Sequence, residues 1–530
     1  MDRQSILTRH EELRGIRLPE ERLWKQIAEL IRPEDQDFQG GSSDTTAMDE
    51  IFDSTPLYAL DDFTGGLFGQ LTNPANDWFG LGIPDEDLML YQPAKRWFWQ
   101  VKNLIRSTLG SSFSSFYTEV PGWFSDCGAF GLGALYSEEN IERQRITDRA
   151  IPLREIFIDT NDEGAIDTVH REFTLRGRQL LQKFPGSAGV DEKKDYKIIH
   201  AVFENPHFRP GRLGPEGKAF LSIYVSPDLA TLERRGGYDE MPYFIPTWSR
   251  RSGKVYPRGP GHRARPDMRT LQEMERAHLT AAEFASDPMK LVSGESDLTA
   301  TDFFPGALLF GGMNEQGKPM VQALNHAQTI NLSLQQSEAK RAAIREAFYF
   351  SIMQLINRPQ MTATEFTGFQ EEKLRQLAPN LERIQQGGLT PMITRRFRML
   401  QRAGQLPPPP PEIENHLLTI DYLSPLAKVM KIAEGRATMT LIGQTLQIAQ
   451  FKPEVLDNLD GDAAFAVLHS AGSAPPSLLM DPQKVEQIRA ARAQQQQQQV
   501  DLENTKASVE IAATAGHAQQ AATLAKGRAA

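Results

Sequence analysis

The stretch Ile51-Phe-Asp-Ser-Thr-Pro-Leu-Tyr-Ala-Leu-Asp-Asp-Phe-Thr-Gly-Gly-Leu-Phe-Gly-Gln-Leu-Thr-Asn-Pro-Ala-Asn-Asp-Trp-Phe79 decides how this chain is read. It supplies no catalytic group and still reads as a specified packing object. Asp53-Ser54-Thr55-Pro56 is a helix entry signal, with a capping side chain ahead of a proline whose missing N–H costs nothing in a first turn. Leu57, Leu60, Phe63 and Leu67 then recur at helical spacing, and the pattern stops at Gly69, Asn73 and Pro74. The Trp78-Phe79 pair that follows requires a partner surface.

Around this block lies a chain of 530 residues, 40% hydrophobic and 24% charged, enough for a sizeable core and roughly two to four domains. Its one cysteine, Cys127, excludes an intrachain disulfide, suits a reducing cytoplasm and is expected to be a buried, inert thiol. No apolar run reaches the roughly 18 residues a membrane helix needs, and the N-terminus lacks a signal-peptide core. A formal charge of -10 argues against a tight nucleic-acid binder, which concentrates Lys and Arg to release counterions, but leaves passing contact with DNA open.

Outward from the block the texture changes several times. Leu18 to Ile31 predicts a helix with Leu23, Ile27, Leu30 and Ile31 on one face, and Lys95 to Ile105 a second, aromatic one. From Ile151 to about Phe244 short β-like runs (Glu155–Asp159, Lys197–Phe203, Phe220–Val225) predict a mixed α and β region. Pro266-Asp267 reads as the entry of a helix ending at Ser286, faced by Leu271, Met274, His278 and Ala281 or Ala282. A Gly- and Phe-rich insert, Lys290 to Asn325, separates it from a second helix, Leu332 to Ile356, striped by Ile344, Phe348, Ile352 and Leu355. Thr362-Ala-Thr-Glu365 is a capping box. The proline run Pro407 to Pro411 is a stiff spacer that divides the chain. The Gln- and Ala-rich last 50 residues read either as a disordered tail or as one stave of a multi-subunit helical barrel.

Enzymatic signatures fail one by one. In Gly211-Arg-Leu-Gly-Pro-Glu-Gly-Lys-Ala219 five residues instead of four separate the glycines, and Ala219 stands where a phosphate loop needs a metal-binding hydroxyl. The histidines lack zinc-site spacing and no Gly-x-Ser-x-Gly elbow occurs. Asp85-Glu86-Asp87 and Asp159-Thr-Asn-Asp162 read as solvated loop acids. No enzyme and no cofactor are expected. Lys340, Arg341 and Arg345, on a helix whose apolar stripe faces elsewhere, and Arg358 in the loop beyond, read either as a solvated, ion-paired face or as a lining for a phosphate backbone. Arg395-Arg-Phe-Arg398 reads as a snorkelling helix surface.

Taken together, five ordered segments resemble the portal, or head-to-tail connector, proteins of short-tailed bacteriophages. They are Phe52–Pro56 with Leu71-Thr-Asn-Pro74 and Trp78-Phe79; Tyr256-Pro-Arg-Gly-Pro-Gly261 with Pro266-Asp267; Met361-Thr-Ala-Thr-Glu365; Arg402-Ala-Gly404 with Leu406-Pro407; and Tyr422-Leu-Ser-Pro-Leu-Ala427. The resemblance implies a mainly α fold with a mixed α+β wing, laid out as wing, stem, clip, crown and C-terminal helical barrel. On this chain the parts would be 1–265 wing, 266–288 first stem helix, 289–331 clip, 332–357 second stem helix, 358–425 tunnel loop and wing-return helices, 426–480 crown and 481–530 the Gln/Ala-rich helix.

It further implies a ring, usually of about twelve copies, at a capsid vertex of the virion, assembled in the host cytoplasm. Such a ring passes double-stranded DNA without sequence specificity during packaging and ejection. It meets terminase, then tail or adaptor proteins, as well as capsid and scaffolding proteins, and no membrane. Repeated around an axis, weak charge contacts make a smooth corridor for DNA. Arg358, with Arg341, Arg345 and Lys340, would then approach phosphate, and Phe303 and Phe304 would be clip docking contacts. The competing expectations are an internal scaffold or ejection protein, and a packaging nuclease or NTPase.

Overall fold

The computed structural model describes residues 2–35, 47–85, 88–89, 91–110, 114–140, 145–286, 290–292, 313, 318–319, 321–323, 330–353, 377–413, 418–422, 425–472, 480, 484–502 and 505. Its main helices are α1 (Arg3–Ile31), α2 (Thr55–Leu71), α3 (Gln92–Leu109), α4 (Phe116–Phe130), α5 (Gly177–Lys183), α6 (Pro260–Ser286), α7 (Ile330–Ala347), α8 (Phe350–Met353), α9 (Thr390–Arg402), α10 (Pro425–Ala449) and α11 (Gly461–Ala471). Its strands are β1 (Phe79–Gly82), β2 (Ala134–Asn140), β3 (Arg145–Ile151), β4 (Ile156–Thr160), β5 (Ile166–Arg176), β6 (Asp195–Glu204), β7 (Phe220–Val225), β8 (Glu233–Tyr238), β9 (Tyr243–Phe244), β10 (Lys290–Val292), β11 (Val321–Ala323) and β12 (Thr419–Tyr422). The fold is mixed α and β. The chain divides into a larger unit (Met1–Gly80, Lys102–Leu406, Ile420–Val429) and a smaller one (Leu81–Val101, Pro407–Thr419, Met430–Ala530), with one boundary at the start of the proline run.

In the larger unit, α2 is the centre of the helical core. Leu60, Phe63 and Leu67 are buried as their spacing requires, and the helix runs through Gly69 to Leu71 before Thr72 ends it. It packs on α4 and α7. Phe63 meets Trp248 edge-on at 5.1 Å and Phe348 at 6.1 Å. The partner of Trp78-Phe79 is the start of α4: Trp78 stacks on Phe116 at 6.3 Å, and its indole N–H donates to the Tyr117 hydroxyl at 3.3 Å.

Strands β4 to β8 form a five-stranded antiparallel meander in sequence order. Both faces of β6 are covered. Ile199, Ala201 and Phe203 pack with Ile6 of α1, while Ile198 on the other face joins Leu180, Tyr196 and Leu232. Double-sided burial is why the strand reads as a nearly continuous apolar run and not as an alternation. Strand β2 pairs with β3 on one side and β9 on the other, giving a second, three-stranded sheet.

Helix α1 is twice as long as its apolar pattern predicts, and Pro19 lies inside it. Its buried positions are Ile6, His10, Leu13, Arg17, Trp24, Ile27, Ala28 and Ile31, a regular helical stripe in which two members are polar. Each has partners on the sheet. His10 Nε2 bonds the Glu172 carboxylate at 2.8 Å, which also accepts from Arg14 at 2.8 Å. Arg17 donates to the carbonyls of Leu153, Arg154 and Ile156 at 3.0, 3.0 and 2.7 Å, pairs with Glu21, and lies 3.6 Å from the centre of the Phe157 ring.

The hydrogen bond with His10, opposed by burial and reinforced by Arg14 and Lys197, holds the Glu172 carboxyl down at about 2 from its usual 4.5. A carboxyl depressed in the folded state contributes stability above its unfolded value, and that contribution fades as pH falls from 4.5 through about 2. Glu172→Gln is therefore expected to lower the melting temperature at neutral pH, with the gap from wild type closing over that interval. Thermal melts across a pH series check it, and a gap independent of pH would refute the assignment.

Helices α6 and α7 lie antiparallel: Arg263 near the start of α6 reaches Tyr349, just past the end of α7, while Asp267 and Glu275 meet Lys340 and Arg341. They bracket an insert whose ends are joined by β10 and β11, paired from Lys290–Ala323 to Val292–Val321. Two expectations change here. Helix α6 begins at Pro260, not at Pro266-Asp267: Pro260 takes the first-turn position a proline favours, and Pro266 falls inside the helix. Helix α7 does not continue to Ile356. It ends at Ala347, Tyr349 takes φ 58, and α8 resumes at Phe350. Ile344 in α7 and Phe348 at the break are buried, as the apolar stripe requires, while Leu355 lies outside the described residues.

The glycines of Tyr256–Gly261 have a packing reason. The end of α4 and the start of α6 touch backbone to backbone, and Gly131, the left-handed cap of α4 at φ 88, sits in the contact. A Cβ on Gly131 would lie 2.5 Å from the Arg258 carbonyl carbon, and one on Gly259 would lie 2.6 Å from the Gly131 nitrogen.

In the smaller unit, Trp97 donates from Nε1 to the Pro407 carbonyl at 2.9 Å. Residues 484–502 are helical, with nearly every side chain exposed, including the glutamine run 494–499. Asp462 of α11 receives Arg489 through two bonds of 2.7 Å. Large apolar side chains of this unit stand in the open: Met439, Leu441, Leu446, Ile448, Phe451 and Phe465 are all more than half exposed.

Candidate functional site

The most connected cluster of the sequence-derived candidates lies where the front of the opening block meets α6 and α7. The local cause is the turn before α2. Asp53 accepts the Thr55 N–H at 2.7 Å, an Asx turn that starts the helix. The Phe52 and Asp53 N–H groups donate to Oε1 of Gln272 at 2.9 and 3.0 Å, and Gln272 Nε2 donates back to the Asp53 carbonyl at 2.7 Å. One buried amide thus satisfies three backbone groups that no helix or sheet supplies with partners.

Arg341 of α7 completes the junction. Its Nε donates to Asp53 at 2.7 Å, one Nη to Glu275 of α6 at 2.7 Å and the other to Glu338 at 3.0 Å. Burial pushes the Asp53 carboxyl up, and the Thr55 bonds with the Arg341 guanidinium outweigh it, leaving it below its usual value. Lys340 pairs with Asp267 at 2.6 Å, and Arg345 stands 3.8 Å from Glu338 with its side chain 43% exposed. The three cations therefore each meet a carboxylate of the same chain. Arg358, Phe303 and Phe304 lie outside the described residues.

Apart from Glu338 on the same helix, the partners of Arg341 carry no local sequence signal, because they come from positions 66 and 288 residues away. The Arg395–Arg398 reading is corrected by burial. Arg395 is 3% and Arg396 1% exposed; Arg395 donates to the Glu240 carbonyl at 2.8 Å, and Arg396 is paired with buried Asp148. Only Arg398 of the three arginines reaches solvent. Cys127 is buried, and burial with the nearby Asp126 carboxylate pushes its thiol well up. Among the described residues no group of three His, Cys, Asp or Glu could hold a metal ion, and no helix is long and apolar enough to cross a membrane.

Residues 3–479 match the family described as bacteriophage head to tail connecting protein. The chain belongs to this family. Over 518 residues it is 27% identical to the portal protein of Salmonella phage epsilon15, covering 94% of this chain and 92% of the relative. Over 517 residues it is 26% identical to the probable portal protein of Bordetella phage BPP-1, again 94% and 92%. The family match spans the Asp53–Gln272–Arg341 junction, so a connector chain is what fastens its opening block to two long helices here. It stops short of the helical residues 484–502.

Proposed function

We propose that this chain is a portal subunit: copies close into a ring, of about twelve, that forms the DNA channel at one capsid vertex. The observation that carries the reading is the alignment of 94% of the chain with a connector-family relative named a portal protein. The antiparallel pair α6 and α7, bracketing an insert closed by a two-strand ladder, supports a stem and clip at 266–357, with wing, tunnel loop, crown and C-terminal helix as laid out from the sequence. Exposed apolar side chains on α10 and α11 support a crown completed by neighbouring copies.

Within this reading Arg358, Lys340, Arg341 and Arg345 approach DNA in the company of carboxylates, Asp267, Asp53, Glu275 and Glu338. A corridor of paired charges has shallow wells, and the duplex passes without being held. Phe303 and Phe304 would serve docking of terminase and, later, of tail or adaptor proteins. The role is structural and not enzymatic. Native mass measurement of the purified chain is the test: assemblies near twelve times 59.4 kDa are expected, and a persistent monomer would overturn the proposal.

A further inference from the structure

Residues 250–269 are anomalous in a chain of net charge -10. They hold Arg250, Arg251, Lys254, Arg258, Arg263, Arg265 and Arg269 against a single acid, Asp267, which is itself engaged by Lys340. The segment leaves β9, makes a turn and enters α6, and three of its cations, Arg251, Arg258 and Arg265, reach α1. Arg251 and Arg258 share one carboxylate, Glu20 of α1, at 3.3 and 2.9 Å. Arg265 reaches only the neutral amide of Gln26, at 2.5 Å, and Arg263 only the Tyr349 hydroxyl, at 3.3 Å. Among the described residues, Arg250, Lys254 and Arg269 have no carboxylate within ion-pair distance, and all three are exposed.

Inside this cluster His262 accepts the Gly259 N–H on Nδ1 at 3.2 Å, which leaves its proton on Nε2. Burial, with the like charges of Arg258, Arg251 and Arg265, pushes it down to about 3, so it is neutral when the arginines are charged. The cluster has thus already shed the one charge it could lose; Arg251 and Arg258 divide a single carboxylate, and among the described residues the other five cations meet none. Six of its seven cations are arginine, whose forked donors match phosphate oxygens in pairs.

We infer that the ridge Arg250–Arg269 is a phosphate-backbone contact for duplex DNA, a holding surface distinct from the charge-paired Lys340–Arg345 face. The inference rests on the portal reading for the identity of the polyanion. In a ring the ridge repeats in every subunit, so a modest contact per copy sums to a belt of positive charge.

The test uses the full-length ring and a duplex of about 30 bp, with binding measured against salt concentration. In one variant Arg250, Lys254, Arg263 and Arg269, all exposed, become alanine; in a charge-matched control Arg178, Lys193, Lys194 and Arg234 do. The ridge variant is expected to bind at least about tenfold more weakly and to lower the slope of log affinity against log salt by up to about 3.5, the control to change neither greatly. Equal losses in both variants, or none in the ridge variant, would overturn the inference. So would a ridge that captures polyglutamate and not DNA, which marks an acidic protein segment as the partner. Native mass separates the two readings: a wild-type ring indifferent to DNA removes this inference alone, whereas absence of a ring removes the portal reading.

Discussion

Arg396→Ala is expected to destabilise the larger unit by about 3–5 kcal/mol, the usual cost of stranding one partner of a buried ion pair. Arg396 is 1% exposed, and the side chain of Asp148, its partner, is fully buried. The guanidinium also reaches the Thr108 carbonyl at 3.3 Å, so it ties α9 to the end of α3 as well as to β3. Burial pushes the guanidinium below its usual range while Asp148 pulls it back. Alanine leaves the carboxylate with neither water nor a counter-ion. Denaturant unfolding followed by tryptophan fluorescence, at matched protein concentration, reads the loss. A change under about 1 kcal/mol would show that water or a neighbouring group takes over from Arg396. Replacing the pair together, Arg396→Met with Asp148→Leu, should recover much of the loss, because no unpaired charge then remains.

Gly131→Ala is expected to cost about 2–5 kcal/mol. A left-handed φ of 88 carries about 1–2 kcal/mol for a residue with a Cβ. The new methyl would also meet the Arg258 carbonyl carbon at 2.5 Å and the Gly259 nitrogen at 2.6 Å, which are backbone atoms that cannot rotate away. Overpacking of that kind adds about 1–3 kcal/mol. Gly65→Ala is the contrasting case. It lies inside α2, a Cβ there meets nothing within 4 Å, and a gain of about 0.5–1 kcal/mol is expected. Thermal melts of both variants decide the matter. Equal behaviour would mean that the α4–α6 approach is looser than its geometry implies.

Much of the fold is legible in the chain because apolar periodicity reports burial directly. The opening block, β6, β7 and the two long helices all follow from spacing. Where polar residues occupy inward positions the signal disappears: the first half of α1 buries His10 and Arg17, which look like surface residues until Glu172 and three carbonyls from 153–156 are brought to them. The same failure made Arg395 and Arg396 read as solvated. The break at Tyr349, at φ 58, carries no glycine or proline to announce it, and the Trp248 ring that Tyr349 packs on lies far away in sequence.

The charged face of α7 marks the limit most clearly. By sequence alone, Lys340, Arg341 and Arg345 are cations on one side of a helix, and both the ion-paired and the phosphate-lining readings stay open. The sequence by itself determined that the chain has long helices around an insert, a mixed α and β part, and a family, because these rest on local spacing and on ordered motifs. Only the tertiary structure decided which charges are already neutralised and which are left over, because a charge is compensated by whatever lies a few ångströms away. For Arg341 that neighbour is Asp53, 288 residues distant along the chain, whereas among the described residues Arg250, Lys254 and Arg269 have no such partner.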